Sequence, residues 1–332
     1  MYQVVAEHYP AFRDRRAAED RPLPRYVEDE FEAYLKCGLL EHGFLRVKCD
    51  ACQAEKLVAF SCKRRGFCPS CGARRMAETA ALLVDGVLPQ QPVRQWVLSL
   101  PFALRYLLAT RPEVVTQVLG IVYRAISAQL IHKAGLTRAS AVTGAVTLIQ
   151  RFGSSLNLNV HFHLLVLDGV YRRNGEGRLV FVPVPSPSAE ELKGLVQRIA
   201  ERIGRSLERS GLITRDIDNA YLAFNPAEEA PNNDLLGSSI TYRIATGPRE
   251  GQKVFTLQTL PAEPDAPRPE VAESSGFSLH AGIAAKASQR DKIERLARYV
   301  SRPPVATERL SLTRGGNVRY ALKTPYRDGT TH

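Results

Sequence analysis

Residues 156–171 read LNLNVHFHLLVLDGVY, and their period of two decides the fold. On a β-strand Val160, Phe162 and Leu164 share one face and His161 and His163 the other. A strand rise of about 3.3 Å per residue sets the two histidines about 6.6 to 6.8 Å apart along the backbone. One face is therefore apolar and belongs against a core, while the other offers two ring nitrogens to a single cation. Hydrogen-bonded structural histidines are the alternative reading of the same spacing, so the pair has to be weighed against the rest of the chain.

Working outward, the neighbouring segments repeat the strand chemistry. RQWVLSLP (94–101), ASAVTGAVTLIQRF (139–152) and RLVFVPV (178–184) are rich in β-branched and aromatic residues and read as strands. Pro112 to Ala134 reads as a long helix, and Ser188 to Ser210 as an amphipathic one opened by a capping box of Ser188 and Glu191. SSITYRIATGPREGQKVFTL (238–257) alternates like a hairpin closed by PREG, and PAEPDAPRPE (261–270) has the composition of a flexible loop. A helix is expected from about Ala284 to Arg302, stopped by Pro303 and Pro304, and ERLSLT and NVRYALK face each other across Arg314-Gly-Gly. Strands interleaved with helices and joined by hairpin turns predict an α+β fold with a mainly antiparallel sheet.

All six cysteines, Cys37, Cys49, Cys52, Cys62, Cys68 and Cys71, lie within 35 residues of each other in a chain of 332. Two Cys-x-x-Cys knuckles, Cys49 with Cys52 and Cys68 with Cys71, are separated by 15 residues and predict a tetrahedral Zn²⁺ site in a small zinc-ribbon-like domain. Cys37 and Cys62 are left over: Cys62 can replace a knuckle member or form part of a second site with Cys37 and His42, and a reduced structural thiol is the plainer reading of each. The organisation expected is a helical arm over 1–36, a zinc-binding domain over 37–88, a linker at Pro89 and Pro92, and a second domain over 93–332.

Forty-five Lys and Arg against 34 Asp and Glu leave a net charge of +11, and 11 of the basic residues with only 5 acidic ones fall in residues 271–332. That balance favours a polyanionic partner. Lys63, Arg64, Arg65, Arg74 and Arg75 have no acidic neighbour between residues 56 and 77, which suits a zinc module that touches DNA phosphates. No run approaches the roughly 18 consecutive apolar residues of a membrane span, and the start lacks a signal peptide, so a cytoplasmic protein with no membrane partner is expected.

Phosphoryl transfer needs a third ligand beside the histidine pair. His280, in SGFSLHAG, is the first candidate and Gln289 the second. On the late helix Ile293, Leu296, Ala297 and Val300 form the buried stripe, and Tyr299 lies about 100° from its centre, on the side of Lys292, Arg295 and Arg302, with Arg298 adjacent. A tyrosine among cations suits a nucleophile for phosphate, because the same groups hold the anion. An amphipathic boundary residue is the plainer reading.

In order along the chain, SCKRRGFCPSCGARR, RQWVLSLP, VHFHLLVLDGVY, RLARYVSRPPVATERL and YALKTPYRDGTTH resemble the HUH-type rolling-circle transposases of bacterial insertion sequences, of the IS91 and common-region kind. The resemblance spans roughly residues 37 to 332. It implies an endonuclease domain, with a central antiparallel sheet flanked by helices, behind a zinc-binding one, with His161 and His163 as ligands to Mg²⁺ or Mn²⁺ and Tyr299 as the nucleophile on single-stranded element ends and target DNA. It also implies a 5′-phosphotyrosine intermediate. Two-tyrosine members carry a second tyrosine four residues earlier, where this chain has Arg295, so a one-tyrosine mechanism is expected. Family members continue past the YRDGTTH motif, so a C-terminally truncated copy is expected. A replication initiator or relaxase of the same chemistry, and a catalytically inactive zinc-dependent DNA-binding remnant, are the alternatives.

Overall fold

The structure, a computed structural model, describes residues 1–64, 66–216, 220–223, 230–262 and 269–332. Arg65 and most of the PAEPDAPRPE stretch lie outside the described residues. Two N-terminal helices, α1 (Tyr2–Ala18) and α2 (Arg25–Lys36), precede a hairpin of β1 (Phe44–Lys48) and β2 (Glu55–Ala59). Helix α3 (Pro69–Leu82) starts with proline in its first turn, where the missing amide costs nothing, and ends in a π turn over Leu83–Val87. Then come β3 (Val93–Ser99), α4 (Phe102–Thr110), α5 (Pro112–Lys133), β4 (Ala141–Val142), β5 (Ala145–Phe152), β6 (Leu158–Leu167), β7 (Gly169–Arg173) and β8 (Leu179–Pro183). The chain continues through α6 (Ala189–Arg209), β9 (Ile213–Arg215), β10 (Ala220–Leu222), α7 (Asn233–Ile240), β11 (Val271–Ser274), β12 (Phe277–Ala285), α8 (Arg290–Val300), β13 (Leu310–Leu312) and β14 (Val318–Tyr320).

The central sheet is five-stranded and antiparallel, in the order β11-β12-β3-β6-β5, so the α+β expectation holds. Strand β6 sits inside it, and its alternation works as read. Val160, Phe162, Leu164 and Val166, each no more than 1% exposed, join the core formed with α4, α5, α6 and α7. On the opposite face Leu165 and Leu167 pack with Ala80, Val84, Ile293, Leu296 and Val300 from α3, the π turn and α8. The helix leaving the cysteine region and the helix carrying Tyr299 are therefore packed together over the histidine face of the sheet.

Several elements differ from expectation. The strand read over 156–171 breaks at Asp168, and β7 pairs with β4 and β8 in a separate sheet. The break is fixed by Arg94, whose buried guanidinium grips Asp168 with two contacts of 2.8 Å and also donates to the Ala281 carbonyl and Ser186 Oγ. The late helix begins at Arg290 rather than Ala284, because Ala284 and Ala285 pair with Arg94 and Val93 as the end of β12. The start of the expected 238–257 hairpin is helical in α7, where Ile240 is buried in the main core. Beyond it the chain closes on itself through an Arg243–Lys253 bridge. Helix α5 is long and apolar enough to cross a membrane by length and composition, which the reading of consecutive apolar residues missed; nine of its side chains are buried in the protein. The Ser188 capping box forms as read, Glu191 N donating to Ser188 Oγ at 3.2 Å.

Candidate functional site

Because directly opposed residues share a face of an antiparallel pair, the register of β12, β3 and β6 defines the site. Val97 on β3 stands between His280 on β12 and His163 on β6, and Ser99 stands opposite His161. His161, His163 and His280 consequently line one cavity of about 650 Å³, together with Gln95, Asn159, Tyr299, Arg302 and Lys323. The rings of His161 and His163 are 5.0 Å apart. Tyr299 meets His163 edge-on at 5.9 Å between centroids, brought there by the buried stripe of α8.

The two strand histidines are held as neutral imidazoles. Burial pushes His163, 3% exposed, down to about 3, helped by His161, Arg302 and His280. Burial also lowers His161, against the pull of a 2.6 Å hydrogen bond between its Nδ1 and the Asn159 carbonyl. That bond fixes the proton on Nδ1 and leaves Nε2 with a free lone pair. Gln95 plays the corresponding part for His163, its amide lying 2.8 Å from Nδ1 while its buried Oε1 has no hydrogen-bond partner. Turning the amide brings Oε1 to an Nδ1–H and frees Nε2, an arrangement typical of a ligating histidine. Neighbouring strands lie about 4.8 Å apart, so His280 and His163, two strands removed, start about 10 Å apart at the backbone. The three imidazoles line one cavity without converging on one point.

Arg302 lies over the Tyr299 ring at 4.5 Å and Lys323 at 4.7 Å. Arg302 was read from the helix periodicity; Lys323 was missed, because it arrives from an irregular segment with no period. The other cations expected around Tyr299 are absent from the cavity lining. Arg298 is tied to Glu294 at 2.6 Å, and Lys292 and Arg295 lie away from the lining. Gln289 is also outside it, its Oε1 accepting from the Lys286 amide at the head of α8.

The cysteines group differently from their spacing. Among the described residues one set of ligand atoms clusters for a metal, the sulfurs of Cys37, Cys62, Cys68 and Cys71, all within 4.8 Å of one another. Sulfur separations are 3.4 Å for Cys62 and Cys71, 3.7 Å for Cys37 and Cys68, and 3.8 Å for Cys37 and Cys71. A tetrahedron with Zn–S of about 2.3 Å requires about 3.8 Å, so the donor set fits Zn²⁺. Burial pushes the Cys62 and Cys68 thiols up, a cost that a bound dication removes. The expected pairing with Cys49 and Cys52 is corrected by the hairpin. Those two ride exposed at its tip, a strand length of about 17 Å from its base. At the base the Gly38 amide donates to the Phe60 carbonyl and the Cys62 amide to Cys37 Sγ. The tip is still a proper knuckle, in which the Cys52 and Ala51 amides lower the Cys49 thiol. Lys63, Arg64 and Arg74 are exposed beside the cluster, and the Arg75 guanidinium donates to the Arg64 carbonyl.

A family model described as "Putative transposase" matches residues 144–332, which carry His161, His163, His280 and Tyr299. A second, described as "Transposase zinc-binding domain" and labelled for IS91, matches residues 4–100, which carry all six cysteines. No curated protein and no solved structure matches the chain.

Proposed function

The chain belongs to the IS91-type transposases, a family of DNA-binding, DNA-cutting enzymes, and from that premise we propose that it cleaves and rejoins single-stranded DNA through a covalent bond to Tyr299. The observation that supports this most strongly is the edge-on approach of Tyr299 to His163 inside a cavity that also holds His161, His280 and two cations.

The Tyr299 oxygen attacks the phosphorus of a phosphodiester, the bond from phosphorus to the 3′ oxygen breaks, and the phenol proton leaves as the 3′ oxygen gains one. The products are a 5′-phosphotyrosine and a free 3′-OH. Arg302 and Lys323 are placed to hold the phosphate oxygens, and attack by a 3′-OH on the phosphotyrosine reverses the step and joins strands without ATP. His161 and His163 would hold Mg²⁺ or Mn²⁺, which would polarise the scissile phosphate when bound, while His280 lines the same cavity two strands away. The donor set fits: two imidazoles are neutral, one has its Nδ1 proton already committed to a carbonyl, and Gln95 stands ready to accept the other. Cys37, Cys62, Cys68 and Cys71 would hold a structural Zn²⁺. This is the HUH type of chemistry, and the free 3′ end it leaves suits rolling-circle transposition of element ends into a target in the cytoplasm.

Incubation with Mn²⁺ and single-stranded DNA carrying the element's ends should yield a covalent protein–DNA species that EDTA abolishes. Release of a free 5′-phosphate with no covalent species would count against the mechanism.

A further inference from the structure

A second cavity, of about 680 Å³, opens from the Tyr299 site along the edge strand β5, and Phe152, Gly153, Ser154 and Arg302 line both. Its walls come from both halves of the chain. Gly66, Phe67, Arg75 and Thr79 belong to the zinc-binding part; Leu148 to Ser154, Arg302 to Pro304, Arg309 and Tyr320 belong to the rest. Four arginines, Arg75, Arg151, Arg302 and Arg309, line it with no carboxylate, and none of the four is ion-paired among the described residues. Three aromatic rings, Phe67, Phe152 and Tyr320, line it too, and Phe152 is 40% exposed.

We infer that this groove holds the nucleotides of single-stranded DNA next to the scissile phosphate, with the arginines on the backbone and the aromatic rings stacked on unpaired bases. The inference rests on the reading of Tyr299 as the cleavage site, which lies at the groove's end. Arginines without an ion pair, in a lining that holds no carboxylate, favour a polyanion over a peptide strand added to the β5 edge, and rings beside cations are what an unpaired nucleic acid strand engages. The zinc-binding part then has a direct role in substrate binding, through Arg75 and Phe67, in addition to packing. The exposed Lys63, Arg64 and Arg74 lie outside this lining.

The test uses the full chain carrying Tyr299→Phe, so that binding is read without cleavage, and fluorescent oligothymidylate and a duplex as probes. Adding Arg151→Gln and Arg309→Gln should weaken oligothymidylate binding about tenfold or more and reduce the slope of log affinity against log salt by about 1.4. Phe152→Ala should weaken it about tenfold with the slope unchanged. Duplex affinity should fall less in every variant. Unchanged oligothymidylate affinity in these variants would overturn the inference, and so would equal losses for both probes, which mark a general phosphate patch. A covalent species formed by the Tyr299 chain with the same groove variants would separate failure of the groove from failure of the cleavage reading.

Discussion

At the scale of the residue, placement was legible where side chains repeat with the period of their own element. His161, His163 and Tyr299 could be found because a strand alternates and a helix advances by a fixed angle, and the cavity gathers all three. The cysteine partners could not, since spacing reports only local pairs. The return of the chain through β1 and β2 sets Cys62 against Cys37 and carries Cys49 and Cys52 away to the tip. Serine substitution distinguishes the groupings. Cys37→Ser or Cys62→Ser should lower zinc content and stability, while Cys49→Ser with Cys52→Ser should keep one zinc per chain, as read by metal analysis of protein purified without chelators. Zinc retained in Cys37→Ser and lost in the tip variant would restore the spacing-based site.

Packing between elements links the cysteine cluster to the helix that carries Tyr299. Gly72, next to Cys71 on α3, lies so close to the segment after α8 that an added Cβ would stand 2.8 Å from Pro303 Cβ. Arg290 at the head of α8 donates to the Val84, Leu88 and Pro89 carbonyls at the end of the helix leaving the cysteine region. Gly72→Ala should therefore cost about 1–3 kcal/mol by overpacking. It should also slow covalent complex formation, since the strain falls on the helix that carries Tyr299; denaturant unfolding and single-turnover cleavage measure the two effects. Unaltered stability would mean that the two helices separate freely. The element boundaries that sequence misjudged, at Asp168 and at Arg290, are those where a buried ion pair or a strand register overrode local propensity.

Over the whole molecule, the N-terminal helices are docked rather than loose. Arg16 of α1, 1% exposed, forms a two-point pair with Asp234 at 2.7 and 3.1 Å and donates to the Pro231 carbonyl and Asn232 Oδ1. Burial pushes the Asp234 carboxyl up, but the Arg16 hydrogen bond and charge, with Arg21 beside them, bring it below its ordinary range. A depressed carboxylate stabilises the fold above its unfolded value of about 4, and the contribution is lost as pH falls through the lower folded value. The stability advantage over Asp234→Asn should be full at neutral pH and shrink below about pH 4; an advantage independent of pH would contradict the pairing. This docking over more than 200 residues of sequence, like the arginine groove, left no local signal, whereas the α+β class followed from pattern alone.

One bond, from Tyr299 to a DNA phosphate, decides the proposed function. After reaction of the chain with single-stranded DNA and Mn²⁺, nuclease and protease digestion followed by mass spectrometry should locate a nucleotide on the peptide containing Tyr299, and Tyr299→Phe should abolish it while His163 and the fold remain intact. A nucleotide on any other residue, or cleavage that persists in Tyr299→Phe, would contradict it.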